Sequence, residues 1–448
     1  MNVDLVMPVE LAAACVFAVI GLPLTALVVV GAPALVARPL SERRTAAVVE
    51  TTFILSVVGA LVAAIAFVRS GAEDIPVEWT TLFEVPGYTF DLSFYVDRLS
   101  ITMLLLSIGV TGLIGRLSIT YLHKEPGFTR FFVLLLLFSL AMRILVMAGS
   151  LDFLFFGWEL VGLSSTLLIA FFHERKETVR RALAAYLTYR TCDLGLLFGA
   201  AWLAHEAGDA SFARMFGPGR WPFAAAAIDS LPATLVVLLL FIAACGKSAQ
   251  FPVSGWLPRA MEGPTPSSAL FYGALSVHAG VYLMLRVSPL LDAAPLARVV
   301  VGIIGLLTAL HATLAGRVQA DAKNSLAYAT ITQVGIIFVE IALGLYTLAL
   351  LHMVGHVLLR TLQFLRAPNV IEDAKRRRNM AGGTLSTGDY LEKMLPPSVR
   401  LPLYAWSIER FHLDTILIRF VVDPMLRLSR HLARFEAIIE KVVAGRSA

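Results

Sequence analysis

Charge is scarce in this sequence. Asp, Glu, Lys and Arg make up only 15% of its 448 residues and hydrophobic residues 58%, against roughly 25% and 45–50% in soluble domains. An ordinary soluble enzyme is excluded. Cysteine is nearly missing as well: Cys15, Cys192 and Cys245 stand singly within apolar segments, so they give neither a disulfide framework nor a metal cluster and read as small packing residues. There is no Gly-x-Gly-x-x-Gly or Walker-type phosphate loop, no cysteine set for an iron–sulfur cluster and no nucleophile elbow. Catalytic residues, metal ligands and cofactors are therefore expected on another subunit, with none in this chain. No basic, aromatic-interleaved patch accompanies the net charge of +5, so nucleic acid is not the expected partner. The lysines and arginines collect instead in short loops between apolar blocks, where they orient a membrane protein.

Those blocks run for about fifteen to twenty residues, as in Phe53 to Val68 and Phe131 to Met147, close to what a helix needs to cross a hydrocarbon core of roughly 30 Å. The pattern predicts an all-α polytopic membrane protein with about eleven transmembrane helices: 9–36, 46–68, 99–122, 129–148, 151–172, 179–204, 232–260, 265–288, 295–316, 324–346 and 347–367. Ala12 to Val36 lacks a basic flank before it and a cleavage site after it, which predicts a retained helix rather than a signal peptide. An odd number of spans puts the two ends on opposite sides. Arg38, Arg43 and Arg44, the 173–181 loop, Arg317 to Lys323 and Lys375 to Arg378 all fall on one side, while Glu73, Asp74, Glu78, Glu84 and Asp91 fall on the other. The positive-inside rule then predicts an outer N-terminus and a cytoplasmic tail. Residues 76–96, alternating around Pro86-Gly87, suggest an outer-face hairpin. Beyond Pro368 a Gly-rich linker leads to 403–443, where Trp406, Ile408, Phe411, Leu413, Ile416, Leu417 and Phe420 recur at helical spacing among charges. That amphipathic tail either packs on this protein's own cytoplasmic face or serves as a docking arm along a partner or the membrane surface.

A charge at mid-bilayer costs about 2.5–3.5 kcal/mol on insertion scales, so an ionisable residue inside a span is a site candidate. Glu159 lies in the fifth span with no Lys or Arg nearby in sequence, and needs a partner from another helix. Arg190 and Asp193 are three apart on the sixth span, a spacing that lets them pair, for structure or for function. Lys247 lies deep in the seventh span, ahead of Pro252 and Pro258. Pro252 cannot donate to the Ser248 carbonyl, so the helix is expected to break about one turn after the lysine. Broken backbone at membrane depth is tolerated where it is buried in protein or lines a watery cavity. Tyr272 and His278 follow in the eighth span, the histidine being either a proton carrier or a packing residue. His311, Lys323 and Glu340 add polar points. In the last span His352, His356 and Arg360 recur every four residues, one stripe about 12 Å long. Two histidines four apart can bind zinc, but without a following Glu or a third ligand, and beside a fixed cation, a proton relay is the favoured reading.

These residues sit in motifs. Gly157-Trp158-Glu159-Leu160-Val161-Gly162-Leu163-Ser164-Ser165, Arg190-Thr191-Cys192-Asp193, Lys247-Ser248-Ala249-Gln250-Phe251-Pro252, the run from Trp256 through Pro264-Thr265-Pro266 to Ala269, Asp321-Ala322-Lys323, Leu326-Ala327-Tyr328 and Gln333-Val334-Gly335 resemble the antiporter-like subunits of respiratory complex I and of the multisubunit cation/proton antiporters. The likeness covers about 95–367 and is greatest to the distal subunit, subunit L or subunit 5. It implies two inverted five-helix repeats, each with a broken helix, around a hydrophilic axis. By motif, Glu159 would pair with Lys247, Lys323 would be the central relay lysine, and His352 and His356 would follow it.

Three departures stand out. Tyr272 occupies the place of a usual histidine, Arg360 that of a usual lysine, and arginine does not release its proton. The later broken helix is missing, so the second repeat is expected to be truncated. The tail motif Ile408 to Asp414, then Asp423-Pro424, resembles a segment near the distal subunit's C-terminus.

Three regions result: 1–98, two N-terminal helices and the hairpin; 99–367, an antiporter-like proton-conducting core; and 368–448, a cytoplasmic linker and docking tail. The expected function is translocation of protons, with sodium as the alternative ion, within a multisubunit energy-coupling complex of a bacterial-type inner membrane. The partners would be other membrane subunits and a soluble energy-coupling subunit. A quinone-reducing machine leads by resemblance. The alternatives are the membrane half of an inorganic-carbon accumulating complex with a zinc-bearing, carbonic-anhydrase-like partner, and a scaffold subunit that conducts nothing.

Overall fold

A computed structural model describes residues 3–85, 88–208, 210–216, 221–380, 395–417 and scattered positions up to 434. Its long helices are α1 (Val3–Leu35), α2 (Glu42–Ser70), α3 (Arg98–Tyr121), α4 (Phe128–Met147), α5 (Leu151–Ile169), α6 (Lys176–Ala207), α7 (Ser230–Lys247), α8 (Thr265–Arg286), α9 (Pro295–Arg317), α10 (Ala322–Ala342) and α11 (Tyr346–Met380). Ten of the described helices are long and apolar enough to cross a membrane. The remaining predicted span, the sixth, is α6. Its polar residues keep it from qualifying by apolarity, yet at 32 residues it is long enough and it packs along both α5 and α7.

Helix starts follow local capping chemistry. Asp97 accepts from the Ser100 amide at 2.8 Å and Ser100 Oγ accepts from the Asp97 amide at 2.8 Å, a reciprocal cap that begins α3. Ser150 and Asp321 cap α5 and α10. Between α2 and α3 the expected hairpin forms, β1 (Ile75–Val85) pairing antiparallel with β2 (Tyr88–Val96) from Ile75↔Val96 to Val85↔Tyr88. Pro86 and Gly87 lie outside the described residues. The hairpin is anchored by Phe17 of α1, set edge-on to Trp79 and Phe94, and by the Gly149 amide on the Ser93 carbonyl at 2.8 Å.

Two helices depart from the sequence reading. The seventh span stops sooner than expected: α7 ends at Lys247 itself, followed by irregular chain to Gly255 and a single turn at Trp256–Arg259 that includes Pro258. Ala249 in left-handed backbone (φ 51°) and Pro252 together leave no room to continue a helix. α8 is the central helix, wholly buried inside the bundle, and it is not uniformly α-helical. Ser268–Ala274 is a π-helix and Ser276–His278 a 3₁₀ turn. Such interruptions re-aim side chains and concentrate at functional positions.

The tail is corrected as well. The described part, α12 (Pro397–Ile408), is followed by three residues in left-handed backbone, Arg410, Phe411 and His412, so the expected helical stripe breaks at Phe411. α12 lies against the end of α9, where Leu314, Arg317 and Val318 face Leu403, Tyr404 and Ser407. Arg259 pairs with Asp414. Through residue 417 the predicted docking arm is thus engaged with this chain's own body rather than held free for a partner. Most of the linker and positions 435–443 lie outside the described residues.

Candidate functional site

Two polar clusters meet α8, one against α5, α6 and α7 and one against α11. The first surrounds Lys247, the last residue of α7, whose side chain is fully buried. Its Nζ donates to the Trp158 carbonyl at 3.1 Å and lies 5.0 Å from the Trp158 ring and 4.9 Å from the Tyr189 ring, so two aromatic faces and one carbonyl stand in for water. Space for the ammonium is made by Gly162 of α5: a Cβ there would sit 2.9 Å from Nζ. The Trp158 indole N–H donates to Asp193 of α6 at 2.6 Å, so a single tryptophan touches both the cation and a carboxylate.

The expected pairings inside this cluster are redistributed. Arg190 pairs with Glu159, not with Asp193, because α6 turns Arg190 toward α5 and Asp193 inward toward Trp158. Glu159 in turn is bound to Arg190 rather than to Lys247, and its second carboxylate oxygen is buried with no hydrogen-bond partner. The break beside Lys247 is held by hydrogen bonds. Trp256 Nε1 donates to the Gly246 carbonyl at 3.0 Å, Ser248 Oγ to Val277 of α8 at 2.7 Å, and the Phe251 amide to Thr308 Oγ1 of α9 at 2.9 Å. Tyr272 completes this side, its hydroxyl 3.1 Å from Ser165 Oγ and its ring edge-on to Trp256.

The second cluster lies between α8 and α11. His278 Nε2 is 3.0 Å from His356 Nδ1, His278 Nδ1 bonds the Ala274 carbonyl, and Arg360 Nε donates to His356 Nε2 at 3.3 Å. Arg360 also donates to Gln363 Oε1 at 2.7 Å, and Gln363 lines a cavity of about 680 Å³ with Asp321, Ser325 and Arg366 at the tail-side end of the bundle. His352 parts from the expected stripe. One turn before His356, it faces α10, with Nδ1 2.8 Å from Glu340 Oε1 and Nε2 3.0 Å from Gln333 Oε1. Lys323 joins neither cluster; it sits in the first turn of α10. Among the described residues no group of three or more His, Cys, Asp or Glu is placed to hold a metal.

Two further buried charges stand outside the sequence candidates although they give the same signal, an ionisable residue within an apolar span. Arg286 of α8 makes a bidentate pair with Asp97, at 2.6 and 3.0 Å, with both side chains nearly inaccessible. Beside it, the hairpin phenol Tyr95 is pushed up from its ordinary pKa by burial first and by Asp74 and Asp97 next. Arg143 of α4 is fully buried and donates to the Val19 carbonyl and to Ser56 Oγ. Both reach a different helix or the hairpin, which sequence spacing does not reveal.

Comparison with known proteins agrees with this architecture. Residues 148–389 match the NADH:quinone oxidoreductase/Mrp antiporter transmembrane family, and residues 79–132 match the N-terminus of NADH-ubiquinone oxidoreductase (complex I) chain 5. The chain is 36% identical to NADH-ubiquinone oxidoreductase chain 5 of Allomyces macrogynus over 81% of its own length and 56% of that relative. It is 39% identical to NADH-quinone oxidoreductase subunit L of Campylobacter jejuni over 65% of its length and 48% of that relative. It thus spans about half the length of the curated relatives it matches. Among solved structures, a chain of the Mrp complex from Dietzia sp. superposes with a TM-score of 0.64 at 26% identity, covering 88% of this chain and 39% of that one. With the first family matching more than half of its residues, this multi-pass membrane protein belongs to the NADH:quinone oxidoreductase/Mrp antiporter transmembrane family.

Proposed function

We propose that this chain carries protons across a membrane as one subunit of a multisubunit energy-coupling complex, in the manner of the antiporter-like subunits of NADH-quinone oxidoreductase. The observation that carries the reading is Lys247: a lysine with no access to solvent, at the end of a helix that stops in mid-bundle, with Asp193 and the Glu159–Arg190 pair on the adjoining helices. An ammonium kept there without a direct carboxylate partner is costly as structure alone, and a lysine is a group whose proton is exchangeable where an arginine's is not. The path we infer runs from Glu159 and Lys247 past Tyr272 to His278 and His356. His352 with Glu340 forms a side branch, and Lys323 a station nearer the surface.

Moving one charge through 100 mV is worth about 2.3 kcal/mol, so such a path needs a coupled energy source, which we place on partner subunits, soluble ones included. The setting we infer is a bacterial-type inner membrane with the tail in the cytoplasm. No feature of the fold favours the inorganic-carbon alternative over this reading. The test is proton uptake by vesicles reconstituted with the full chain, alone and in its native complex, under an imposed potential. Lys247→Ala and Glu159→Gln are each expected to lower the flux by about ten-fold, equivalent to roughly 1.4 kcal/mol. Undiminished flux through the native complex carrying the double variant, with no flux through the chain alone, would leave the chain a scaffold.

A further inference from the structure

The contacts of the histidine pair can be counted proton by proton. Arg360 Nε can only donate, so His356 Nε2 facing it must present its lone pair. The Ala274 carbonyl can only accept, so His278 Nδ1 must carry a hydrogen. One hydrogen is left for the 3.0 Å contact between His278 Nε2 and His356 Nδ1. Placed on His278, it would set an imidazolium against an imidazolate; placed on His356, it leaves both rings neutral. Only the second arrangement is chemically reasonable, so both rings are Nδ1–H tautomers and every ring nitrogen is in use.

The backbone produces this arrangement. Where an α-helix would send the His278 amide to the Ala274 carbonyl, the passage from π-helix to 3₁₀ turn sends it to Leu275 at 3.1 Å, and the ring of His278 takes the Ala274 carbonyl instead. Gly273 lets α11 approach close enough to deliver Arg360: a Cβ at 273 would lie 3.3 Å from Arg360 Cγ and 2.6 Å from the Phe364 ring. His352 cannot open the pair from below, since both its nitrogens are turned to Glu340 and Gln333 and its ring centroid is 6.4 Å from that of His356.

We propose that Arg360 is a positioning residue that holds His278 and His356 in a single neutral tautomer and closes the pair to protons until its guanidinium leaves His356 Nε2. The bond from Arg360 to Gln363 gives the guanidinium a second anchor while it moves. The consequence for transport rests on the functional reading above; the tautomer assignment does not.

The test is ¹⁵N-histidine solid-state NMR of the full chain in lipid vesicles at neutral pH, with the two resonances assigned from the His278→Phe and His356→Phe spectra. Wild type is expected to show His278 and His356 each as a single Nδ1–H species. Arg360→Lys should keep that pattern, because an ammonium also only donates, whereas in Arg360→Met the freed His356 Nε2 can bind a proton while its Nδ1–H still faces His278, so a doubly protonated His356 population should appear as the pH is lowered. An Nε2–H ring at either position in wild type, or a histidine pair that stays as fully neutral in Arg360→Met as in wild type when the pH is lowered, would overturn the proposal. Should Arg360→Met fail to fold, the wild-type spectrum still decides. Absence of proton flux through wild type would defeat the functional reading and leave the tautomer result intact.

Discussion

Lys247 depends on the absence of one methyl group. Gly162 sits in the middle of α5, where alanine would stabilise an ordinary helix by roughly 0.5–1 kcal/mol, yet its Cβ would stand 2.9 Å from the ammonium. Gly162→Ala therefore separates stability from function. The variant is expected to melt no lower than wild type by more than a few degrees and to lose proton flux in vesicles by about three-fold or more, as the displaced lysine gives up its bond to Trp158, a charged-group hydrogen bond worth about 1.5–3 kcal/mol. Full flux in Gly162→Ala would mean that the position of Nζ does not matter. At this scale the sequence revealed which residues are out of place in a membrane but not whom they meet. Glu159 and Lys247 stand out because each is a charge in an apolar run. That Arg190 turns to Glu159 and Trp158 bridges Lys247 and Asp193 depends on the rotation of α5, α6 and α7 about their axes, and periodicity within one helix does not contain it.

Between elements, the clearest device is the clasp that α12 and the following turn make on the broken region. Phe411 packs edge-on to His311 of α9 with ring centroids 5.6 Å apart, and Asp414 meets Arg259 just past the break. The Arg259–Asp414 pair is 41% and 33% exposed, so it should contribute only about 0.2–1 kcal/mol, whereas burying part of an aromatic ring contributes about 1.5 kcal/mol or more. Hydrogen exchange of the 397–417 amides is thus expected to rise about two- to five-fold in Asp414→Asn and about ten-fold or more in Phe411→Ala. Equal protection in both variants and wild type would show that the clasp is held elsewhere. The hairpin and all eleven long helices were legible as elements, the first from alternation and the second from apolar length. The left-handed turn at 410–412 was not, since Arg410 and Phe411 are not residues that favour that backbone; it sets the Phe411 ring against His311. The π segment of α8 was hidden as well: it lies where α11 comes close at Gly273, a contact between helices that apolar periodicity does not contain.

For the whole molecule, sidedness follows from how charge is distributed between the two ends of the bundle. One end gathers the hairpin, the 148–150 turn and residues 210–216 and 221–226, joined by Gly149 to Ser93, Phe212 to Gly149 and Trp221 to Leu285, and its hairpin side carries Glu73, Asp74, Glu78, Glu84 and Asp91. The other end gathers α12, Arg259, Arg317 and the loops and first helical turns holding Arg38, Arg43, Arg44, Arg175, Lys176, Arg180 and Arg181. These basic loops are short, the condition under which lysine and arginine set orientation. The fold makes the expectation sharper than the sequence could, because it puts α12 at the same end as the basic loops rather than leaving it attached by a linker of unknown course. Two single cysteines in a background with Cys15, Cys192 and Cys245 changed to Ala test it: Thr80→Cys on the exposed face of β1 and Ser398→Cys at the exposed start of α12. A membrane-impermeant maleimide applied to intact cells is expected to label Thr80→Cys and to reach Ser398→Cys only after the membrane is opened. The reverse labelling would invert the bundle, and with it the side of the membrane toward which the Gln363 cavity lies.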